Sequence, residues 1–557
     1  MGSVSRFGLI MAQFNFLIVV GMTVMKQFVV GLVVLLLMQL AIGTAADSTA
    51  VNVEAKSVTI ALSQEPPNLN SLRATDLVSF FVLGHVNEGL VRYGRRGRLV
   101  PGVAESWQIT PSSMTFTLRA DARWSDGTAV VAEDFVFSWR RMIDPKVAAP
   151  YASTMFPILN AERVHRGELP IQALGVRAEG NQLIVDLQTP CGYCLAVMAH
   201  SAFFPIKQSF YAAQADKYGA EAEHLLYNGP FMLTDWTHGS RLSMKKNPFY
   251  WQRDEIHLNK INVGYITADN RTRLNLFRDE QIAVARLGAE TVKDAAKSGL
   301  RLRTFPSGGM AYLGFNHRRG RQTAKVDVRR AIASTFNSEE FVNKIIAIPG
   351  YRSTQSFFPS WVQGVDGKFV DEFPIAKKFV SNVQARKLLI DADAASASLT
   401  LLTTTSPTGT KIAEYLQGVL KSELGLDVKV DQQTLKQYLA RREAGAFDIV
   451  VSSWYPDFDD IVTYADLLAS YNGNNRGHYN NDHYDAVLKT LQSSLDRGDR
   501  MKAAAELQSI IMDDVPLIPM AETGSAYLQH PQLKGVVRRV LGADPDYTYA
   551  RVVKSKP

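Results

Sequence analysis

Apolar and polar residues alternate in short stretches along most of the chain, and these stretches are separated by segments of helical periodicity. Residues 56–62 and 114–119 show the two-residue period of a half-buried strand, most strictly in the sequence MTFTLR of the second stretch. Residues 132–142 instead place three large apolar side chains on one side of a helix. This interleaving predicts an α/β fold in which helices cover the faces of the sheets.

The order of short strands and helices starts again near residue 310. Residues 255–310 alternate strand and helix, and a strand at 312–316 followed by helices at 328–336 and 339–346 repeats the pattern. Beyond these, the periodicity predicts strands at 399–402, 427–432, 447–452 and 517–520 and helices at 376–390, 411–424, 434–443 and 494–515. The restart predicts a second lobe.

The longest apolar segment lies near the N-terminus. Met25 and Lys26 precede an apolar run at 28–40, and small residues follow at 43–46. A charged start, an apolar middle and a small-residue end predict a signal peptide, cleaved after residue 45 or 46, with translation starting at Met25. The alternative is an uncleaved membrane anchor, which the charge of Lys26 within the apolar stretch disfavours.

The length and charge of the chain narrow the function classes. At 557 residues the chain exceeds what one hydrophobic core usually serves, so two or three domains are expected. The formal net charge is +7, but Lys and Arg are spread along the sequence without a long basic block. This distribution does not favour nucleic-acid binding.

One stretch joins an apolar run to an acidic segment. Residues 450–460 have the sequence VVSSWYPDFDD, in which β-branched residues give way to aromatics, a proline and three acids. The pattern predicts a buried strand that opens into a loop, where carboxylates lie beside aromatic faces. Such a wall suits a ligand that carries a cation and apolar side chains; the alternative is an Asp-rich turn exposed to solvent.

The sequence contains none of the common catalytic motifs. It has no G-x-S-x-G, no H-E-x-x-H and no phosphate-binding G-x-x-x-x-G-K-S/T sequence. Its ten histidines are scattered, and His478 and His483 lie in an Asn-rich region that we expect to be an irregular, solvated loop. We therefore predict no catalysis, no metal site and no cofactor.

The only two cysteines are Cys191 and Cys194, in a C-x-x-C pattern. In an exported chain this pattern is a local disulfide, a redox pair or half of a metal site. A zinc site needs two further ligands, and a thioredoxin-like site needs the pair at the start of a helix, whereas here it follows a strand. We favour a structural disulfide and keep an exported thiol-disulfide protein as an alternative.

Several short sequence motifs together resemble those of one protein family. They are PGVAESW at 101–107, FTLR at 116–119, ARWSDGT at 122–128, AEDFVFSWRR at 132–141, DPKVAAPYAS at 144–153, NGPFMLTDW at 228–236 and KNPFYW at 246–251. In this order they resemble the oligopeptide-binding proteins of bacterial ABC importers, which belong to the extracytoplasmic solute-binding proteins of family 5. The resemblance runs from about residue 58 to residue 555.

The resemblance implies a type II periplasmic-binding-protein fold of the large cluster, which is α/β and two-lobed, with an extra domain inserted in lobe I. We expect a signal peptide at 1–45, lobe I at 46–78, 210–308 and 524–557, the inserted domain at 79–209, and lobe II at 309–523. Hinge closure of the two lobes around a ligand is the mechanism that this fold implies.

The resemblance also implies where a peptide ligand binds. Asp457 matches, by its spacing after Trp454, the family aspartate that meets the α-ammonium group of the ligand. Trp454 and Tyr455 are expected to line the first side-chain pocket. Ser453 stands where the family often has Gly before the Trp, which narrows the approach of the backbone.

The carboxylate of the ligand needs a cation, because an unpaired buried charge is costly. Arg442 matches a family arginine that faces the cleft, and its neighbour Arg441 is the alternative, since a small rotation of the helix decides which side chain faces inward. A second family arginine is absent, because Val451 occupies its position. Recognition of the ligand carboxylate, and hence the preferred ligand length, is left open by this loss.

Two residues far from the acidic stretch complete the expected site. Glu65 matches a residue of lobe I whose main chain pairs with the peptide, and Tyr151 matches a tyrosine that closes over it; a loop-capping role and a packing role are the alternatives. Asp459 and Asp460 match no ligand contact and are expected to face solvent or to cap a turn.

We therefore expect the extracytoplasmic substrate-binding component of an ABC transporter. Its partners would be a peptide ligand and the permease subunits with their cytoplasmic ATPases; we expect a periplasmic monomer that meets the membrane only through the permease. The same fold leaves open a dipeptide, a murein peptide, an antimicrobial peptide or a metal chelate as ligand. A membrane-tethered peptide chaperone is a further alternative if residues 1–45 stay attached.

Overall fold

A computed structural model describes residues 50–375 and 380–554 of the chain. The predicted signal peptide at 1–45 lies outside these residues. Among the residues that are described, no helix is long and apolar enough to cross a membrane.

Three sheets organise the described chain. Sheet I has the strand order Val51–Asn52, Ser57–Leu62, Lys260–Ile266, Arg241–Lys246, Phe231–Thr237. Sheet II has the order Val284–Leu287, Leu517–Gln529, Arg303–Phe315, Ile449–Trp454, Ser398–Thr404, Asp427–Gln433. The inserted sheet has the order Ala104–Ile109, Ser113–Leu118, Gln182–Asp186, Val176–Glu179. Two small antiparallel pairs join Val91–Tyr93 to Leu99–Pro101 and Leu533–Lys534 to Arg551–Val552.

Helices cover these sheets as the alternating pattern predicted. The α-helices are Leu77–Val86, Ala132–Ile143, Ala161–His165, Cys194–Val197, Gln208–Gln214, Asn270–Arg278, Ala289–Lys297, Val326–Thr335, Ser338–Glu340, Phe369–Glu372, Asn382–Asp391, Pro407–Leu424, Leu435–Glu443, Val462–Ala465, Asp482–Ser493 and Arg497–Asp514. A π-helical turn, Phe341–Ile346, follows directly on the short helix that Asn337 caps.

Helix boundaries follow from capping side chains. The helix predicted at 411–424 begins earlier, at Pro407, because the Ser406 side chain accepts a hydrogen bond from the Gly409 N–H and proline suits the first helical turn. It ends at Gly425 as predicted, in the left-handed conformation that glycine adopts without strain. The helix predicted at 376–390 begins at Asn382, after a capping box formed by Ser381; positions 376–379 lie outside the described residues.

The expectation of an irregular loop around His478 and His483 was only half right. His478 lies in a turn, but His483 lies on helix Asp482–Ser493, which begins where the Asn481 side chain accepts a hydrogen bond from Tyr484 N–H. His483 Nε2 lies 3.0 Å from a carboxylate oxygen of Glu506. Across the described residues no group of three or more potential ligands is placed to hold a metal ion.

Two long strands lie next to each other in sheet II. Arg303–Phe315 and Leu517–Gln529 pair antiparallel over most of their thirteen residues each, and the register is interrupted between Pro306 and Met310. The predicted boundaries at 308/309 and 523/524 fall within these strands. The chain therefore crosses between the predicted lobes through two neighbouring extended segments, while the boundaries themselves stay predictions.

A buried histidine ties the C-terminal segment to helix Leu77–Val86. His85 Nδ1 lies 2.7 Å from the Phe81 carbonyl oxygen, and its Nε2 accepts the Tyr547 N–H at 3.0 Å. Burial lowers the pKa of His85 to about 4. The ring is therefore neutral at pH 7, and its proximity to Asp546 is not an ion pair at that pH.

Candidate functional site

The predicted site begins at the end of a central strand of sheet II. Strand Ile449–Trp454 pairs antiparallel with the second half of Arg303–Phe315, so that Trp454 lies opposite Met310. Its apolar first residues are buried, as expected of a central strand that is covered on both faces. The chain then leaves the sheet through residues 455–461, which we call the acidic loop.

Thr463 holds the first part of the acidic loop in place. Its carbonyl oxygen accepts the indole N–H of Trp454 at 2.7 Å, and its hydroxyl oxygen accepts the backbone N–H of Asp457 at 3.1 Å. Thr463 is buried, so these bonds form away from water, where an unmade hydrogen bond is costly. Sequence reasoning missed this residue, which carries no signal beyond its place in a short apolar run.

Asp457 and Tyr151, predicted from distant parts of the sequence, meet in the structure. The carboxyl group of Asp457 is surrounded by protein, although the residue as a whole is partly accessible, and it accepts a hydrogen bond from the Tyr151 hydroxyl. Burial raises the pKa of Asp457 to about 6, and the hydrogen bond from Tyr151 opposes part of this rise. Within the described chain no cation pairs with this carboxylate.

Aromatic rings pack around Tyr151. Its ring centroid lies 4.3 Å from that of His200 and 6.3 Å from that of Phe80. His200 Nδ1 accepts the Ala202 N–H at 3.2 Å, while its Nε2 is buried and has no partner among the described residues. Burial lowers the pKa of His200 to about 4, so this neighbour is neutral at pH 7 and supplies no charge to Asp457.

The two candidate arginines have different partners. Arg441 is exposed and pairs with Asp431 at 2.9 Å. Arg442 is partly buried and donates a hydrogen bond to the Tyr312 hydroxyl at 3.3 Å. Tyr312 lies opposite Ser452, two residues before Trp454, so Arg442 lies on the Trp454 face of the sheet.

Glu65 uses its side chain to stabilise a hairpin turn. Its carboxylate accepts the Trp236 indole N–H at 2.9 Å and the Gly239 N–H at 2.7 Å, and one oxygen lies 2.5 Å from His238 Nδ1. These bonds match the capping alternative for the side chain. The prediction for Glu65 concerned its main chain, and it stays a prediction.

Tyr455 and Ser453 lie near the surface. The ring of Tyr455, which is 38% exposed, packs on Gly309, where an added Cβ would lie 2.6 Å from the ring. Ser453 is exposed and points to the face of the strand opposite Trp454. The Tyr455 ring can therefore occupy this position because residue 309 is a glycine.

Two acids of the loop do not face solvent as expected. Asp460 pairs with the buried Arg500 at 2.6 Å and also accepts the Val462 N–H at 3.0 Å, which is the capping alternative. Asp459 is partly buried, and its N–H donates to the Tyr93 hydroxyl at 3.2 Å. Burial and the charge of Asp460 raise the pKa of Asp459 to about 6.

Cys191 and Cys194 form a disulfide, and both residues are buried. The segment that they close packs against the acidic loop: the Tyr193 ring stacks on Phe458 with centroids 5.5 Å apart, and the Gly192 N–H donates to the Gln492 carbonyl at 3.0 Å. Cys194 begins the helix Cys194–Val197, so the expectation that the pair does not stand at the start of a helix was wrong. Thiol exchange needs an accessible sulfur, so the burial of both cysteines still favours a structural role. Sequence reasoning did not place this disulfide beside the predicted site.

Comparison with known proteins places this chain among solute-binding proteins. The family model described as bacterial extracellular solute-binding proteins, family 5 Middle, matches residues 98–476. The chain is 30% identical over 485 residues to the periplasmic murein peptide-binding protein MppA of Escherichia coli, covering 85% of this chain and 89% of that protein. It is 28% identical over 487 residues to the dipeptide-binding protein DppE of Bacillus subtilis, covering 86% and 89%.

Solved structures show the same fold. The structure of Escherichia coli MppA has a TM-score of 0.78 at 28% identity and covers 91% of this chain and 100% of that one. The peptide-bound OppA of Listeria monocytogenes has a TM-score of 0.76 at 27% identity, covering 90% of this chain and 99% of that one. Both chains are matched along nearly their whole length.

Proposed function

Since this chain belongs to the bacterial extracellular solute-binding proteins of family 5 and has their two-lobed periplasmic-binding-protein fold, we propose that it captures oligopeptides for an ABC importer. It is the extracytoplasmic substrate-binding component, which takes up a peptide between its lobes and delivers it to a membrane permease. The permease would work with cytoplasmic ATPases. We propose a periplasmic monomer, exported by the signal peptide at 1–45, that touches the membrane only through the permease.

One observation carries the assignment of the ligand. Asp457 holds a carboxylate that is surrounded by protein and has a hydrogen bond from Tyr151 but no cation among the described residues. A charge in this position costs free energy unless a partner of opposite sign arrives. The α-ammonium group of a peptide supplies that charge and its hydrogen-bond donors.

The surrounding groups suit the rest of a peptide. Trp454 is fixed by its bond to Thr463 beside Asp457 and offers an aromatic wall to a side chain. Arg442 is the candidate for the ligand carboxylate, because Arg441 is already paired with Asp431. Glu65 is proposed to contribute its main chain alone, in the manner of an added strand.

Closure of the lobes would complete the site. Tyr151 belongs to the predicted inserted domain and Asp457 to predicted lobe II, so their hydrogen bond joins the two sides of the proposed cleft. A ligand ammonium that reaches Asp457 would share this carboxylate with Tyr151. Binding would therefore favour the closed form, because ligand contacts on both sides exist only there.

We propose that the protein catalyses no reaction and needs no cofactor. The binding proteins of this family act by capture, and the cysteines, which offered a redox alternative, are bonded and buried. Titration of thiols before and after reduction, combined with an insulin-reduction assay, tests this alternative. Turnover in that assay would contradict the proposal.

The role of Asp457 can be tested with matched peptides. Asp457→Ala is expected to weaken the binding of free-amine tripeptides by about 30-fold or more, since it removes one partner of an enclosed charge pair. N-acetylated versions of the same peptides should bind the two proteins within about threefold of each other, because they carry no ammonium group. The measurement is isothermal titration calorimetry, preceded by mass spectrometry of any ligand that co-purifies. Equal losses for both peptide classes would contradict the assignment.

A further inference from the structure

A small cavity in predicted lobe II is bordered by two arginines. Its volume is about 30 Å³. One water molecule needs about 10–15 Å³, so the cavity has room for two water molecules or for a carboxylate group. Arg442 and Arg476 border it, and none of the described residues that line it is acidic. The cavity therefore favours a small, negatively charged group.

The cavity lies on the strand face that also carries Trp454. Tyr312 and Val450 line it, and Val450 precedes Trp454 by four residues, so the two side chains point to the same face. Four residues of a strand span about 13 Å, and an extended peptide of three or four residues covers a similar length. A peptide whose ammonium group meets Asp457 is therefore long enough to bring a carboxylate to the cavity.

Arg442 forms no ion pair within the described ranges 50–375 and 380–554. Its guanidinium group donates to the Tyr312 hydroxyl at 3.3 Å and also acts on the Tyr438 hydroxyl. Both partners are hydroxyl groups, which satisfy donors but supply no counter-charge. The positive charge of Arg442 therefore stays available to a ligand.

The loop that carries Arg476 is fixed by its backbone. The Arg476 carbonyl oxygen accepts a hydrogen bond from Arg318 Nη1 at 2.9 Å, and the next carbonyl, that of Gly477, accepts the His317 N–H at 2.8 Å. A Cβ on Gly477 would lie 2.3 Å from the Phe315 carbonyl oxygen, so the loop approaches the strand end closely. Arg476 thus stands at the cavity on a preorganised segment.

The acid that pairs with Arg476 is exposed to solvent. Glu443 lies 2.5 Å from Arg476 Nη1, and its side chain is 63% exposed. An ion pair with so exposed an acid contributes little, so a ligand carboxylate can compete with it. Burial lowers the pKa of His478, and the charges of Arg318 and Arg476 lower it further, as expected where positive charge predominates.

We propose that Arg476 is a specificity-determining residue of the peptide site, which together with Arg442 binds a carboxylate of the ligand. This carboxylate is either the C-terminus of the peptide or an acidic side chain. Guanidinium groups present pairs of donors that match the two oxygens of a carboxylate. The inference rests on the proposed peptide-binding function and adds a second cation to the one proposed there.

Two other occupants fit the cavity less well. A cationic side chain would meet two arginines and no acidic residue among those described at the cavity. An apolar side chain would displace water from Arg442 without balancing its charge, which costs free energy. A carboxylate is the group that satisfies both the charge and the donors.

The test uses free-amine tripeptides in matched pairs, and calorimetry measures their affinities. One set compares glutamate with glutamine at each position, and the other compares a free C-terminal carboxylate with a C-terminal amide. In at least one pair the wild type should bind the carboxylate form about tenfold to hundredfold more tightly, as expected for hydrogen bonds between charged groups. Arg476→Gln should reduce that ratio by about fivefold or more, and the set in which it falls identifies the source of the carboxylate.

Arg441→Gln is the matched control, because it removes the same charge from an exposed neighbour of Arg442 that is paired with Asp431. It should keep the wild-type ratio within about twofold. Arg476→Lys keeps the charge but loses the paired donors, so its ratio should lie between those of the wild type and Arg476→Gln.

A ratio that Arg476→Gln leaves unchanged would overturn the assignment, and so would an equal reduction in Arg441→Gln. An equal loss of affinity for every peptide in the Arg476 variants would show a structural role and would overturn it as well. The same holds if the wild type binds both members of every pair equally. Failure of every peptide to bind the wild type would instead contradict the proposed function, so the two failures are distinguishable.

Discussion

At the scale of single residues, Asp457 defines the site by what it lacks. A carboxylate removed from water without a cation beside it costs free energy in the ligand-free protein, and its raised pKa, about 6, reflects this cost. A single hydrogen bond, from Tyr151, opposes the cost only in part. The residue is therefore prepared for a positively charged group to arrive.

This environment makes peptide binding dependent on pH. An ammonium group binds the ionised form of Asp457, so below about pH 6 the ligand competes with a proton, and the affinity should fall by up to about tenfold per pH unit. Free-amine peptides with neutral side chains, measured by calorimetry from about pH 8 to about pH 4.5, should show this loss. N-acetylated peptides and the Asp457→Asn variant should show a flat profile. An equally steep profile for the acetylated peptides would contradict this role of Asp457.

The contacts of the predicted site residues could not be read from the sequence. Asp457 and Tyr151 each followed from a local sequence word, but their hydrogen bond joins residues 306 positions apart, which no local pattern reports. The choice between Arg441 and Arg442 depends on a rotation of one helix; in the structure Arg441 pairs with Asp431, and Arg442 donates to the Tyr312 hydroxyl. Asp460 resembled a solvated turn residue until Arg500, forty residues later, was placed beside it.

At the scale of elements, a predicted helix boundary was wrong where a capping side chain, rather than local composition, sets the start of the helix. The region around Asn481 was predicted to be irregular because of its asparagines, yet Asn481 is the N-cap of helix Asp482–Ser493. The apolar spacing of Tyr484, Val487, Leu488 and Leu491 marks one face of that helix. An asparagine before such a pattern is typical of a helix start rather than of a loop.

The sequence predicted the disulfide, but it did not indicate that the segment between the two cysteines contacts the acidic loop. A Cβ on Gly192 would lie 2.4 Å from the Ser494 carbonyl oxygen, so the segment approaches the backbone at Ser494 closely. Tyr193 stacks there on Phe458, the neighbour of Asp457. The segment closed by the disulfide thus contacts the acidic loop directly.

Removing the disulfide should therefore affect both stability and binding. Replacing Cys191 and Cys194 by serine removes the constraint on a four-residue loop, so the free energy of unfolding should fall by about 2 kcal/mol. Peptide affinity should also fall by severalfold, because Tyr193 is no longer held against Phe458. Denaturant unfolding and calorimetry measure the two effects.

Tyr193→Phe is the control for this prediction, since it keeps the stacked ring and should bind peptide as the wild type does. Tyr193→Ala, with the disulfide intact, should reproduce the loss of affinity. If the serine variant bound peptide with unchanged affinity, the disulfide would stabilise the fold without supporting the acidic loop.

At the scale of the whole molecule, distant segments build each sheet. Strand Ser57–Leu62 pairs in parallel with Lys260–Ile266, about 200 residues later, and Val284–Leu287 pairs with the strand Leu517–Gln529. Hydrophobic periodicity reports which segments are strands but not which strands are neighbours. The α/β class and a second lobe therefore followed from the pattern itself, while the assignment of segments to each lobe followed from the family resemblance.

Three histidines with lowered pKa values link the stability of the whole fold to pH. Burial lowers the pKa of His85, His200 and His317 to about 4 each. The unfolded chain, with ordinary pKa values near 6.5, binds more protons between about pH 6.5 and pH 4, so the stability that these groups contribute is lost as the pH falls through this window. The raised pKa values of Asp457 and Asp459, about 6, act in the opposite direction between about pH 4 and pH 6.

His317 is the histidine that isolates this effect most simply. The only hydrogen bond that its ring makes among the described residues is a long one, 3.4 Å, to the Pro516 carbonyl, and the ring packs edge-on against Tyr479. The charge of Arg329 adds to the lowering of its pKa by burial, while Asp514 opposes it.

His317→Phe keeps the ring packing and removes the titrating group. The variant should be close to the wild type in stability at about pH 8 and more stable than the wild type by roughly 2 kcal/mol at about pH 5. Denaturant unfolding at both pH values measures this difference. His85→Phe serves as a contrast. It should be destabilised at both pH values, because both ring nitrogens of His85 are hydrogen-bonded. A stability difference between His317→Phe and the wild type that did not change with pH would show that His317 is protonated equally in the folded and unfolded chains.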